Sequence, residues 1–112
     1  MPSAFNVELS VREAPTEAQA RAATALVDPA RAVGLRLTKR AAGELGYTPR
    51  VQWPFLAMLY HKLSGEQMTV KFEPGADSGT RIMISGKVSG SSHMLAADPE
   101  HWSEALGGSA TV

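Results

Sequence analysis

Cysteine is missing from this chain of 112 residues, which excludes disulfides, thiol nucleophiles and thiolate metal sites. An excess of one charge is missing too, because 11 basic residues balance 11 acidic ones. A neutral chain gives no overall electrostatic reason to bind nucleic acid or an acidic partner. The apolar fraction of 44% is ordinary for a globular protein, and the length predicts one domain.

Long apolar runs are also missing. No stretch approaches the roughly 20 apolar residues that a membrane-spanning helix requires. The first residues, MPSAFNVELSV, lack the basic and apolar regions of a secretory signal. These two absences predict a cytoplasmic protein.

The first third of the chain predicts a strand followed by a helix. Residues 5–12 alternate apolar with polar side chains, which is typical of a half-buried strand. Thr16 and Gln19 have the spacing of a capping box and predict the start of a helix. The helix restarts or kinks at Asp28 and Pro29 and ends at Gly34.

The rest of the chain predicts hairpins and a last helix. LRLTKR and YTPRVQW indicate two strands, and QMTVKFEP and TRIMISGKV alternate strictly. GADSG joins the latter two as a turn whose glycines supply positive φ, and SGSSH is a polar loop. Asp98 caps the last helix, Pro99 occupies its first turn, and Gly107 ends it.

Taken together, these elements predict an α+β fold. The expected architecture is an antiparallel sheet of about five strands with two helices packed on one face. The expected order is β-α-β-β-(short α)-β-β-α. Residues 1–108 form the single predicted domain, and residues 109–112 form a flexible C-terminal tail.

The segment 53–63 is apolar on nearly every side, whether it is drawn as a helix or as a strand. Three explanations stay open: core, an interface with a second copy or a protein partner, and a peripheral membrane contact. The membrane contact is the least favoured, because few Lys and Arg residues accompany the segment. The leading functional hypothesis is association, because interface cores are enriched in aromatic residues and Met. The predicted partner-binding residues are Trp53, Phe55, Met58, Leu59 and Tyr60.

The opposite face of the predicted sheet is basic. Alternation places seven cations and two anions there, about five net positive charges. An anionic ligand, a membrane surface or nucleic acid is therefore an alternative partner, although cations also serve simply to solvate an open sheet. Sequence-specific RNA binding is disfavoured, because no aromatic residue is predicted on this face. The cations are Arg12, Arg36, Arg40, Arg50, Lys71, Arg81 and Lys87, of which Arg36, Arg50, Lys71 and Arg81 are the candidate anion-binding residues.

Candidate catalytic groups do not combine into a known pattern. His61, His93 and His101 lack the spacing of a zinc site, so no metal or other cofactor is predicted. The serines near His93 lack a nucleophile elbow, and Gly86-Lys87-Val88 is not a phosphate loop. The sequence therefore favours a non-catalytic binding domain. A pocket near His61, serving a small-molecule binder or an enzyme, is the third alternative.

Overall fold

Strands and short helices make up residues 3–49 and 65–110, which the computed structural model describes. The predicted α+β class is confirmed. In chain order the elements are β1 (Ser3–Val11), α1 (Pro15–Ala25), α2 (Val27–Ala32), β2 (Leu35–Ala41), β3 (Glu44–Pro49), β4 (Gln67–Pro74), a 3-10 turn (Ala76–Ser78), β5 (Thr80–Val88), α3 (Ser91–Ala96), α4 (Pro99–Leu106) and β6 (Ser109–Ala110).

The strands form one antiparallel sheet in the order β2-β3-β4-β5-β1-β6. Five of them are long, as predicted, and β6 has two residues. β6 pairs with β1 through Ser109 and Ala110, the first two residues of the segment predicted as a tail. Residues 111 and 112 lie outside the described ranges.

Alternation along the strands builds the core, as the sequence predicts. Phe5, Val7 and Leu9 of β1 are buried, and so are Val70 of β4 and Ile84 of β5. We call this side of the sheet the inner face and the opposite side the outer face. The described helices cover the inner face and add buried Ala22, Leu26, Trp102 and Leu106 to the core.

Arg21 links the first described helix to the last. The Nε–H of Arg21 on α1 is shared between the two Glu13 carboxylate oxygens, at 2.8 and 2.7 Å, and Nη2 donates to one of them at 2.5 Å. Nη2 also donates to the carbonyl of Leu106, the last residue of α4, at 2.6 Å. The hydrogen bond from Arg21 holds the pKa of Glu13 below its usual value. Both side chains are about one third exposed, so solvent weakens the pair. The bond from Arg21 to the Leu106 carbonyl is the contact that links α1 to α4.

Helix boundaries confirm one predicted cap and correct another. Asp98 accepts a hydrogen bond from the Glu100 amide, and Gly107 ends α4 in the left-handed conformation, as predicted. The predicted capping box at Thr16 and Gln19 is wrong. α1 instead begins at Pro15, which suits a first turn because it has no N–H to satisfy.

Candidate association surface

Several strands begin or end at one end of the sheet, which we call the loop end. β3 ends there at Pro49, opposite Leu35, the first residue of β2. β4 begins there at Gln67, opposite Lys87 near the end of β5. The end of β3 and the start of β4 therefore both lie at this end of the sheet.

Helix α3 lies against the loop end, immediately after β5. Two hydrogen bonds hold it: the indole N–H of Trp102 donates to the Ala96 carbonyl at 2.8 Å, and His93 Nε2 lies 2.9 Å from the Ala4 carbonyl oxygen. Ala96 itself is buried. Because these contacts use one side of a short helix, the side that carries Met94 and Leu95 turns towards solvent.

The exposed side of α3 is apolar. Met94 is 78% exposed and Leu95 is 38% exposed. Together with Ala32 at the end of α2, they line an open depression of about 430 Å³. Ser91 and Ser92 supply hydroxyl groups to its lining, and none of the described residues that line it is ionisable. We call these five residues the Met94 surface, which suits apolar association better than proton transfer.

Sequence reasoning missed Met94 and Leu95 because it assigned SGSSH to a loop and placed no element between that loop and the last helix. A signal was available, since Met, Leu and Ala in SSHMLAA are strong helix formers. The predicted partner-binding residues Trp53, Phe55, Met58, Leu59 and Tyr60 lie outside the described residues, as do His61 and Arg50. The association hypothesis for segment 53–63 therefore stays a prediction.

The cations of the outer face differ from the predicted set, because Arg40 does not lie on it. The register of β2 against β3 shifts between Leu37 and Lys39, which indicates a bulge. Arg40 is therefore opposite buried Leu45, on the inner face, and Lys39 replaces it on the outer face opposite Gly46. One extra residue in a strand reverses the face of every residue that follows it.

Ion pairs occupy some of the predicted anion-binding cations. Arg81 lies between Glu73, at 3.1 Å, and Glu8, at 3.7 Å, and its pKa is raised by the hydrogen bond to Glu73 and by the charge of Glu8. Arg36 and Lys71 are on the outer face and form no ion pair within the described residues. Anion binding by this face stays a prediction, now centred on those two residues.

The two described histidines have structural partners. His101 Nε2 lies 3.0 Å from the Pro29 carbonyl oxygen, which joins α4 to α2, and His93 contacts Ala4 in β1 as above. In residues 3–49 and 65–110, no group of three or more His, Asp or Glu residues is arranged to hold a metal ion. No helix in these ranges is long and apolar enough to cross a membrane.

A second depression, of about 470 Å³, lies at the other end of the sheet beside the β4–β5 turn. Arg12 and Asp77 are its charged lining residues. Its buried hydroxyl, on Thr80, donates to the Glu13 carbonyl at 2.6 Å. That bond closes the connection between β1 and α1, so the buried polar group here serves the fold.

Tyr47 is the buried titratable group of the inner face. Its side chain is only 2% exposed, between Leu37 and Met68 on the neighbouring strands. Burial raises the pKa of Tyr47 from 10.0 to about 12, and the nearby charge of Arg40 lowers it slightly. Its hydroxyl has no hydrogen-bond partner in the described part of the chain. Burying an unpaired hydroxyl costs roughly 1–3 kcal/mol.

Replacing Tyr47 with phenylalanine is therefore expected to keep or raise the free energy of unfolding, by up to about 1 kcal/mol. The folded state also holds the phenol proton more tightly than the unfolded chain does. The stabilisation that comes from this difference in pKa is complete below pH 10.0 and is lost as the pH rises towards about 12. The free energy of unfolding of Tyr47→Phe should therefore fall less over that interval than that of the unaltered chain. Urea unfolding at neutral and alkaline pH measures both effects. A loss above 1 kcal/mol at neutral pH would show that the hydroxyl has a partner.

Comparison of the chain with protein-family models, with curated proteins and with solved structures finds no match.

Proposed function

We propose that this chain is a non-catalytic association domain that binds a second copy of itself through the loop end. The contacts would come from the Met94 surface and from the apolar segment 53–63. One observation carries the proposal: Met94 is 78% exposed on a helix held against the loop end, where β3 ends at Pro49 and β4 begins at Gln67. Exposed apolar residues grouped at one place are typical of association surfaces.

The available apolar area is adequate for a stable dimer. Each partner in a standard interface contributes roughly 800 Å². Trp53, Phe55 and Tyr60 could together bury roughly 450–750 Å², and Met58, Leu59, Met94 and Leu95 add to that. Ordering of side chains and loss of translational freedom offset part of the gain.

A second copy suits this surface for electrostatic reasons. The chain has no net charge, with 11 basic and 11 acidic residues, so two copies approach without overall repulsion. The five residues of the Met94 surface carry no ionisable group, so their burial desolvates no charge of their own. Apolar contacts around a two-fold axis are the usual way in which small domains form homodimers.

The test is the molar mass in solution across a concentration series, by light scattering. The unaltered chain is expected to reach the mass of a dimer as its concentration rises. Met94→Asp should raise the dissociation constant at least tenfold, because full burial of one Met is worth roughly 1.5–3 kcal/mol. The double substitution Phe55→Asp with Leu59→Asp should abolish the dimer and leave a folded monomer.

Val27→Asp is the matched control. Val27 is also an exposed apolar residue, 49% exposed, but it is the first residue of α2, whereas Ala32 of the Met94 surface is the last. The same charge change there should leave the dimer unaffected. A chain that stays monomeric at every concentration contradicts the proposal, and so does an equal effect of Val27→Asp. If the double substitution unfolds the protein, segment 53–63 belongs to the core.

A further inference from the structure

β2 and β1 are the outermost long strands on the two sides of the sheet, and their exposed edges differ. β2 carries Arg36, Lys39 and Arg40 and a bulge near Thr38. Cations and bulges are the usual features that prevent an edge strand from pairing with another chain. β1 has neither. Its nine residues pair with β5 in one unbroken register, and its only charged residue is Glu8.

The outward edge of β1 is only partly covered. The Ala4 carbonyl contacts His93 and Ser10 pairs with Ser109 of β6, so the backbone groups of the even-numbered residues point away from β5. Between these two contacts lie Asn6 and Glu8. No strand in the described ranges pairs with β1 before Leu9. Within residues 3–49 and 65–110, two N–H and two C=O groups are therefore free to pair with a further strand.

We propose that the free edge of β1 at Asn6 and Glu8 binds an extended peptide segment of a partner protein. The segment would run antiparallel to β1, in line with β6 and in the same direction. β6 shows that this edge accepts an antiparallel strand, since Ser109 and Ala110 already pair with it. Main-chain hydrogen bonds to a sheet edge are a general mode of peptide recognition.

The side chains beside the edge define the chemistry of that segment. On the inner face, Phe5 and Val7 flank the gap, so an apolar side chain of the added strand would extend the core. On the outer face, the partly exposed Glu8 carboxylate forms one ion pair within the described ranges, with Arg81 on its β5 side. A Lys or Arg of the added strand, placed opposite Glu8, would be a second cationic partner, because opposite charges that face each other stabilise a strand pair. The segment that fits therefore alternates apolar with basic residues.

The probe is a short synthetic peptide that alternates valine with lysine and is N-methylated along one edge, so that it cannot stack on itself. Its matched control is the same peptide N-methylated along both edges. Amide chemical shifts of the full chain report the site of binding. We expect saturable shifts centred on Asn6 and Glu8 and at least tenfold weaker binding of the control, which forms none of the backbone donor bonds.

Two variants of the protein separate the backbone from the charge. Asn6→Pro removes one free donor, and proline is tolerated where an edge N–H faces outward, so the fold should persist while binding weakens about tenfold. Glu8→Gln should weaken the lysine peptide but not a valine–threonine peptide. Because residues 111 and 112 follow β6, the titration is repeated on a chain that ends at Ala110. Binding by either chain supports the proposal. Equal binding of the control peptide, shifts elsewhere, or no binding to both chains overturns it.

Discussion

Replacement of Gly86 by alanine is expected to lower the free energy of unfolding by about 3 kcal/mol, the upper end of the range for overpacking a core. Gly86 lies in β5 between Phe5 of β1 and Met68 of β4. A Cβ atom there would lie 2.1 Å from the Gln67 carbonyl oxygen and 2.7 Å from the Met68 Cα. Both atoms belong to the backbone of β4, which cannot retreat without breaking its pairing with β5.

Thermal unfolding measures this effect, since each kcal/mol shifts the midpoint by roughly 4 °C in a domain of this size. Ser85→Ala is the control, because Ser85 is the preceding residue of the same strand and its side chain lies on the outer face. That variant should stay within about 0.5 kcal/mol of the unaltered chain. A Gly86→Ala protein of unchanged stability would mean that β4 and β5 are farther apart here than the structure places them.

Gly86 also shows which features of a strand the sequence predicts and which it does not. Alternation alone places TRIMISGKV in a strand, and this excludes a phosphate loop at Gly86-Lys87. Alternation gives no reason for glycine at that position, however. The reason is the approach of the β4 backbone, which depends on the pairing of two strands and cannot be read from either strand alone.

Residue periodicity predicts the core well, because burial on one face follows directly from a period of two in a strand. Periodicity does not predict a bulge, where a strand contains one extra residue. It also does not predict a hydrogen bond between a side chain and a residue far away in the sequence. The bulge in β2 moved Arg40 to the inner face, and nothing in LRLTKR indicates where that bulge lies. Gln19, predicted to cap its own helix, donates instead to the Ala41 carbonyl at 2.6 Å and accepts from the Gly43 amide at 2.8 Å.

The prediction for the turn between β4 and β5 was wrong for a different reason. Glycines were predicted to supply its positive φ angles, but Asp77 and Ser78 adopt them, at 55° and 62°. Asp tolerates the left-handed region because its short polar side chain can bond locally. A turn type therefore cannot be assigned from the position of glycine alone. The sequence predicted only part of the candidate association surface. The exposure of Met94 could not be predicted, because it depends on how α3 packs against the sheet.

The docking of α3 depends on Trp102, and Trp102→Ala is expected to lower the free energy of unfolding by about 4 kcal/mol. The indole is fully buried on α4, and its N–H donates to the carbonyl of Ala96, the last residue of α3. Its ring also meets that of His101 edge to face, with centroids 4.7 Å apart. Truncation would leave a large cavity and an unpaired carbonyl at the end of the helix that carries Met94.

Two further variants separate these contributions. Trp102→Phe keeps most of the volume but loses the N–H donor, so it should cost less, about 1–2 kcal/mol. Glu104→Ala changes an exposed residue of the same helix and should be nearly neutral. Urea unfolding gives the stabilities, and amide exchange in residues 91–96 reports the order of α3. If Trp102→Ala costs less than about 1 kcal/mol, or if α3 keeps its protection in that variant, then Trp102 does not anchor this helix. Because Met94 and Leu95 are presented by α3, loss of the anchor should also weaken self-association, even under conditions where the sheet stays folded.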